Sequence, residues 1–234
     1  MFKKNRKINQ DIINDLPESY HEFEFFGLKN KTIHNNLHQN QFSKSPIIFS
    51  FIAKAVALCR DEGQEEVSFA ELFCADAYFA MAAYRLGASQ VAAIDNNKDS
   101  YSSTLKQIAN RLQIPLEYIE LDLQNQEIPK KFDIVANIGG LYHVDDPKKI
   151  INSSLRATNK YLIIQNVVSM ENNDSDYFEK PAPGWNWGNR MSVKSFGKLV
   201  KEELNLKVID EYFNELAGND RPQDRGSIYY LVEK

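Results

Sequence analysis

Residues Val67–Asn97, VSFAELFCADAYFAMAAYRLGASQVAAIDNN, leave the chain few ways to fold. An apolar, strand-like run, Val67–Phe73, gives way to a tight turn of mostly small residues, Cys74–Ala77. A segment of helical period follows, Gly87 stops it, and a second apolar run, Val91–Ile94, ends on Asp95. Strand, helix and strand in succession make a βαβ unit. Such a unit holds a nucleotide-like ligand at the carboxyl ends of its strands. The turn backbone approaches the ligand, and an acid closing the second strand grips ribose hydroxyls. The stretch therefore predicts a nucleoside-cofactor site that includes Asp95.

The chain after it repeats the pattern. Lys98–Leu112 reads as an amphipathic helix with Tyr101, Leu105, Ile108 and Leu112 on one face, and Leu116–Leu123 as a strand ending at Asp122–Leu123. Phe132–Ile138 is a fourth strand, Pro147–Ala157 a helix and Tyr161–Val168 a fifth strand. Strands alternating with helices imply a mainly parallel sheet covered on both faces. A long irregular stretch, Ser169–Met191, precedes a helix over Ser192–Leu204, with Ser192 as its N-cap. Lys207–Asn214 and Ser227–Val232 close the chain as a hairpin-like pair, which predicts an antiparallel strand at the end of the sheet.

Upstream, Ser45–Pro46 has the form of an N-cap followed by proline at the first helical position, so a helix is expected from there to Gly63. Residues 1–45 are polar with scattered aromatics, frayed or helical to about Ile13. From His21 a non-periodic aromatic segment is read as a cap on the core or a lid over a substrate. The division that follows is an N-terminal helical cap at 1–60 and a cofactor-binding domain at 61–234.

Composition excludes some classes. A net charge of −4 over 234 residues argues against a constitutive nucleic-acid binder without excluding a local basic patch. Cys59 and Cys74 lack metal-site spacing and predict no disulfide framework. No signal peptide follows the basic N-terminus, and no apolar run is read as approaching the ~18 residues of a membrane helix. A cytoplasmic location is expected.

At Glu71–Ala80, ELFCADAYFA, taken with VAAIDNN, LDL and FDIVANIGGLYHVDDP in that order, the chain resembles the class I S-adenosylmethionine-dependent methyltransferases. The resemblance runs from about Val67 to Lys234. It is nearest to a bacterial branch whose fourth strand ends in N-x-G-x-LYH, which includes transfer-RNA wobble-uridine enzymes and small-molecule or sugar methyltransferases. It implies a Rossmann-like, seven-stranded α/β sheet, mainly parallel with an antiparallel last strand and helices on both faces. It also implies S-adenosyl-L-methionine as cofactor and S-adenosyl-L-homocysteine as product.

The resemblance further implies residue roles. Glu71 would orient the methionine ammonium, and Phe73, Cys74, Ala75 and Ala77 would wrap the methionine part with backbone. Asp95 would take the ribose hydroxyls, with Asn96 lining the adenine pocket. Asp122 would accept from the adenine amine, Leu123 would pack on the ring, and Asn137 and Ile138 would close the methionine end. One departure stands out: the family's glycine positions are Phe73, Ala75 and Ala77 here. Glycine tolerates positive φ and close approach of a ligand, and alanine does so only with strain. The turn therefore either adopts ordinary φ values or makes a tighter pocket, and a domain that no longer methylates stands as an alternative.

His143 follows the fourth strand, where the methyl group would meet its acceptor, and a histidine there is either a general base or a scaffold for Asp145–Asp146. Tyr142 would wall the acceptor pocket. In PAPGWNWGNRM, Trp185, Trp187 and Arg190 form either a stacking wall with an anion handle or a stiffened loop covering the core. Arg221 and Arg225 would bind an acidic acceptor or sit in a solvated loop. His21, His34 and His38 with His143 carry only a weak metal signal, and no metal is assigned. The reading is methyl transfer to O or N of a small molecule, possibly a sugar or an anion. Methylation of a transfer RNA and a non-catalytic cofactor-binding module are the alternatives.

Overall fold

A computed structural model describes residues 16–33 and 37–234. The reading of the start to Ile13, and His34, lie outside the described residues.

Seven strands form one sheet in the order β3-β2-β1-β4-β5-β9-β8. They are β1 Ser68–Leu72, β2 Gln90–Asp95, β3 Leu116–Glu120, β4 Phe132–Ile138, β5 Thr158–Val168, β8 Lys207–Glu215 and β9 Gly226–Glu233. The short strands β6 Phe178–Glu179 and β7 Arg190–Met191 form a separate pair. β1 pairs in parallel with β2 and β4, β2 with β3, and β4 with β5. β9 is antiparallel to both β5 and β8. The last strand is thus antiparallel as expected, but it is inserted between β5 and the edge strand β8 rather than placed at the sheet's end. Eight consecutive residue pairs join it to β5, which buries it centrally.

The strands read as unbroken apolar runs because both faces are covered. On one face Phe69, Val91, Ala93, Ile134, Ala136 and Ile163 pack against α1 Leu37–Asp61, α2 Tyr78–Arg85 and α3 Ser102–Leu112. On the other, Ala70, Leu72, Ile94, Val135, Leu162 and Ile164 pack against α4 Pro147–Ala157 and α5 Val193–Lys198. Alternate residues of a strand point to opposite faces, and the two clusters divide them that way.

α1 corrects the sequence reading. It runs from Leu37 and carries Pro46 in its interior, not at its start. Proline removes the bond to the carbonyl four residues back, but Phe42 and Pro46 both lie on the exposed side. Tertiary bonds hold the N-terminal turns. Gln41 exchanges two hydrogen bonds of 2.8 Å with the Glu22 backbone, and Asn214 Nδ2 donates to the Ser43 carbonyl at 2.9 Å. The expectation that no run approaches a membrane helix is also corrected, because His38–Asp61 has a mean hydropathy of 1.4 in its most apolar window. That apolarity has a use in the fold: Ile48, Phe51, Ile52, Ala55, Val56 and Cys59 are buried in the core shared with β1.

Other boundaries move for local reasons. α3 starts at Ser102 rather than Lys98, because Asn97 (φ 56°) and Ser100 (φ 60°) are left-handed. β3 stops at Glu120, after which Leu121 N–H donates to the Asp95 carbonyl and Asp122 begins a turn. The helix after Ser192 is capped as expected, with Ser192 accepting from Ser195 N–H, but it relaxes to a π-helix over Leu199–Glu203. Cys59 and Cys74 are free and buried.

Candidate active site

Chain order reverses across the sheet between β1 and β4, and ligands bind open α/β sheets in the crevice outside the strand ends at such a switch point. A cavity of about 650 Å³ opens there. Of the residues singled out from the sequence, Glu71, Phe73, Ala75, Asp95, Asn96, Asp122, Leu123, Ile138, Tyr142, His143 and Trp187 line it. Cys74, Ala77 and Asn137 are buried behind it, Arg190 lies beneath its far wall, and Trp185 is exposed beside Trp187.

The turn after β1 is left-handed without glycine: φ is 56° at Phe73, 46° at Ala75 and 62° at Ala77. Such residues persist only where the surroundings over-determine them. Here acids provide the constraint. Ala75 N–H donates to Asp95 Oδ2 at 3.2 Å, Ala80 N–H to Glu71 Oε2 at 2.7 Å, and Ala77 N–H to the Cys74 carbonyl at 2.7 Å. Asp76, fully buried, takes His21 N–H at 2.7 Å and His21 Nδ1 at 2.6 Å. The first of the two alternatives for this turn, ordinary φ values, is therefore overturned. The Phe73 ring lies across Gly140, where a Cβ would come within 1.9 Å of Cδ2.

The acids stand at successive strand ends. Glu71 is 2 % exposed, and burial pushes its carboxyl well above the usual range, against the pull of the Ala80 N–H. Asp95 is half-buried, and its pKa is also raised by burial although backbone N–H groups oppose the shift. Its Oδ1 takes Asn97 N–H at 3.1 Å. Asp122 accepts from Gln124 N–H and from Asn125 Nδ2. Asn96, exposed at the mouth, accepts from Lys98 N–H.

The opposite wall is aromatic. His143 stacks on Trp187 with centroids 4.8 Å apart and planes at 3°, and Tyr142 lies 4.2 Å from His143. Gly188 permits this approach, since with φ +70° a Cβ there would meet the Tyr142 carbonyl oxygen at 2.3 Å. His143 is exposed to solvent. The crowding of its ring and the charge of Arg190 hold its pKa below the ordinary histidine range. Its side chain makes no hydrogen bond among the described residues, and Asp145 and Asp146 are tied instead to Gln124 and Lys149.

Arg190 is 3 % exposed, bonds Asp224 at 2.6 Å and lies under the Tyr142 ring. It supports the wall from beneath. Arg221 reaches the Pro183 carbonyl, and Arg225 pairs with Glu215 at 3.1 Å. Among the described residues no group of three or more His, Cys, Asp or Glu side chains is arranged to hold a metal.

The sequence reading missed several lining residues. Tyr20 was read only as a scattered aromatic and His21 as the start of an aromatic segment and a weak metal candidate, and the pinning of His21 to Asp76 is what brings them to the cavity. Lys44, Phe79, Lys98, Asp99, Tyr101 and Gln124 were not singled out. For Lys44 a signal existed: it stands four residues before buried Ile48 on a stripe continued by Ile52, Ala55 and Cys59.

The donor set fits a nucleoside bearing an amino-acid tail. A half-buried carboxylate at the end of β2 suits a ribose diol, with a second acid after β3 on one side and a buried one in β1 on the other. Residues 53–161 match the family model described as a methyltransferase domain. No curated protein matches the sequence. Among solved structures, a magnesium protoporphyrin IX methyltransferase from Synechocystis with bound S-adenosylhomocysteine is similar at 10 % identity and a TM-score of 0.62, over 88 % of this chain and 90 % of that one. The N-methyltransferase NodS from Bradyrhizobium japonicum, also with S-adenosylhomocysteine, is similar at 12 % identity and a TM-score of 0.59, over 86 % and 93 %. An S-adenosylmethionine-dependent methyltransferase from Clostridium acetobutylicum gives 11 % and 0.58, over 83 % and 95 %. These likenesses show the fold. The chain carries a methyltransferase domain on a Rossmann-like methyltransferase fold.

Proposed function

We propose that the protein transfers a methyl group from S-adenosylmethionine to an oxygen or nitrogen of a small, uncharged or cationic molecule. One observation carries this reading: a single cavity has the three acids of β1, β2 and the β3 end on one side and the Tyr142–His143–Trp187 wall on the other. The cofactor supplies an electrophilic methyl group, and the reaction is an in-line displacement governed by positioning. Glu71, Asp95 and Asp122 hold the donor, and Tyr142 and Trp187 orient the acceptor. His143, neutral near pH 7, accepts the proton that the acceptor releases as the new bond forms.

The charge around the cavity supports the acceptor class. Glu71, Asp95, Asp99, Asp122 and Asp145 line it against Lys44 and Lys98. Arg190, expected from the sequence as an anion handle, is committed to Asp224. A polyanion such as transfer RNA, or an anionic small molecule, meets an unfavourable field there.

Calorimetric titration with S-adenosylmethionine and S-adenosylhomocysteine, beside Asp95→Ala, tests the site. Transfer of labelled methyl to amine, phenol and hydroxyl acceptors then tests the reaction. Micromolar binding lost in Asp95→Ala is the expected result. No binding by the parent protein, or transfer only to RNA, would defeat the proposal.

A further inference from the structure

One charge in the cavity has no counterpart in the three acids or the aromatic wall. Lys44, from α1, lines the cavity beside Glu71 and Phe79. Among the described residues its ammonium enters no hydrogen bond or ion pair, and its recorded contact is with the Phe79 ring, 5.9 Å to the centroid. Loss of water pushes its pKa down to about 8, against the pull of Glu71 and Asp76. Glu71 is in the opposite condition, buried with its pKa raised, Oε2 bound to Ala80 N–H and Oε1 bound to nothing among the described residues. Buried charges are ordinarily paired. Here a half-buried ammonium and a buried carboxyl share a cavity without touching, and a ligand that carries both charges would complete the arrangement.

We propose that Lys44 and Glu71 form a zwitterion clamp, in which Lys44 takes the α-carboxylate of the cofactor's methionine end and Glu71 its α-ammonium. Lys44 is then a positioning residue contributed from outside the βαβ unit. A rigid helix packed on the sheet fixes the amino-acid tail, and through it the direction of the sulfonium. The inference rests on the cofactor site described above.

The test is calorimetry on the full chain with three ligands. S-adenosylhomocysteine carries both charges, its decarboxylated analogue keeps the ammonium alone, and 5′-methylthioadenosine has neither. The parent protein should bind S-adenosylhomocysteine roughly ten- to a hundredfold more tightly than the decarboxylated analogue, the range of a charge-assisted hydrogen bond. Lys44→Met should bring that ratio to about twofold or less and leave methylthioadenosine binding unchanged, and Lys44→Arg should restore most of the preference. A Lys44→Met protein that keeps the parent's preference would place Lys44 elsewhere and overturn the clamp. Equal weakening of all three ligands would reduce Lys44 to a structural role and overturn it too. Parent protein that binds S-adenosylhomocysteine without preferring it to the decarboxylated analogue sinks the clamp alone. Binding of none of the three sinks the cofactor site with it.

Discussion

Replacing Ala75 by glycine should leave the protein at least as stable as the parent, although the same exchange in a helix destabilises. Ala75 sits at φ 46°, and an L-residue in the left-handed region carries roughly 1–2 kcal/mol of strain that glycine lacks. Against this, glycine's freer unfolded chain costs about 0.4–1 kcal/mol. The Ala75 methyl is half-buried, so its loss costs about half of the ~0.8 kcal/mol of a buried methylene. Central values leave a net gain of about 0.4 kcal/mol. At Ala77, φ 62° and fully buried, the whole methyl is lost and the net falls to about zero. Ala57, exposed in α1, supplies the ruler: glycine there should cost about 1 kcal/mol. Urea unfolding of the three variants with a common slope should rank them Ala75→Gly, Ala77→Gly, Ala57→Gly from most to least stable. If Ala75→Gly loses as much as Ala57→Gly, the turn is not held left-handed and the reasoning fails.

Gly140→Ala should cost roughly 1–3 kcal/mol by driving a Cβ into the Phe73 ring, and the cost should fall below about 0.5 kcal/mol in a Phe73→Ala background; additive losses in urea unfolding would show that the ring lies elsewhere. Burial raises the Glu71 pKa and a bound ammonium favours the ionised form. Well below pH 8, where Lys44 is already protonated, S-adenosylhomocysteine should therefore release a proton on binding, and its affinity should fall as pH drops toward the Glu71 pKa; calorimetry in two buffers of different ionisation heat reads this, and proton uptake there would contradict it. His143 is held below its ordinary range by crowding and by Arg190, so the acid limb of kcat/KM should lie below pH ~6.5, and His143→Asn should cost about 10²–10⁴ in rate. Its lowered folded-state pKa also means that stability present above pH ~6.5 declines as pH falls through the window beneath it. Full activity in His143→Asn would remove the base assignment.

The sheet was legible because a doubly covered parallel strand must be apolar throughout, and β4 and α4 have the predicted bounds to the residue. Asp95 and Asp122 were legible because they close apolar runs, where a polar side chain has few other uses. The start of α1 was not legible: Ser45–Pro46 imitates a helix entry, and what carries the helix through the proline is bonding to Glu22 and Asn214, distant in sequence. With the helix start placed at Ser45–Pro46, Lys44 fell outside the helix. The pairing of Arg190 with Asp224 was not legible, because Asp224 lies across the last loop. The backbone of Phe73–Ala77 was equally hidden, since alanine does not announce a positive φ, and of the acids that impose it Asp95 comes from β2 while Asp76 is held by His21 from far upstream.

Those acids also bear on whether an alanine-built turn can still serve the cofactor. Asp95 gives one lone pair of Oδ2 to Ala75 N–H and one of Oδ1 to Asn97 N–H, while a carboxylate offers about four acceptor sites. Acceptor capacity therefore remains for the ribose, so holding the turn and holding the ligand do not compete. An amide at this position must lose one of these two turn bonds, because only its oxygen accepts. Asp95→Asn should therefore lower stability, by roughly 0.5–1.5 kcal/mol for the lost turn bond, as well as weaken S-adenosylhomocysteine. Adding Ala75→Gly, which frees the turn from its need for that bond, should return part of the stability and none of the affinity. Urea unfolding and calorimetry on the double variant separate the two. If affinity recovers together with stability, Asp95 acts on the ligand only by shaping the turn, and its assignment to the ribose is wrong.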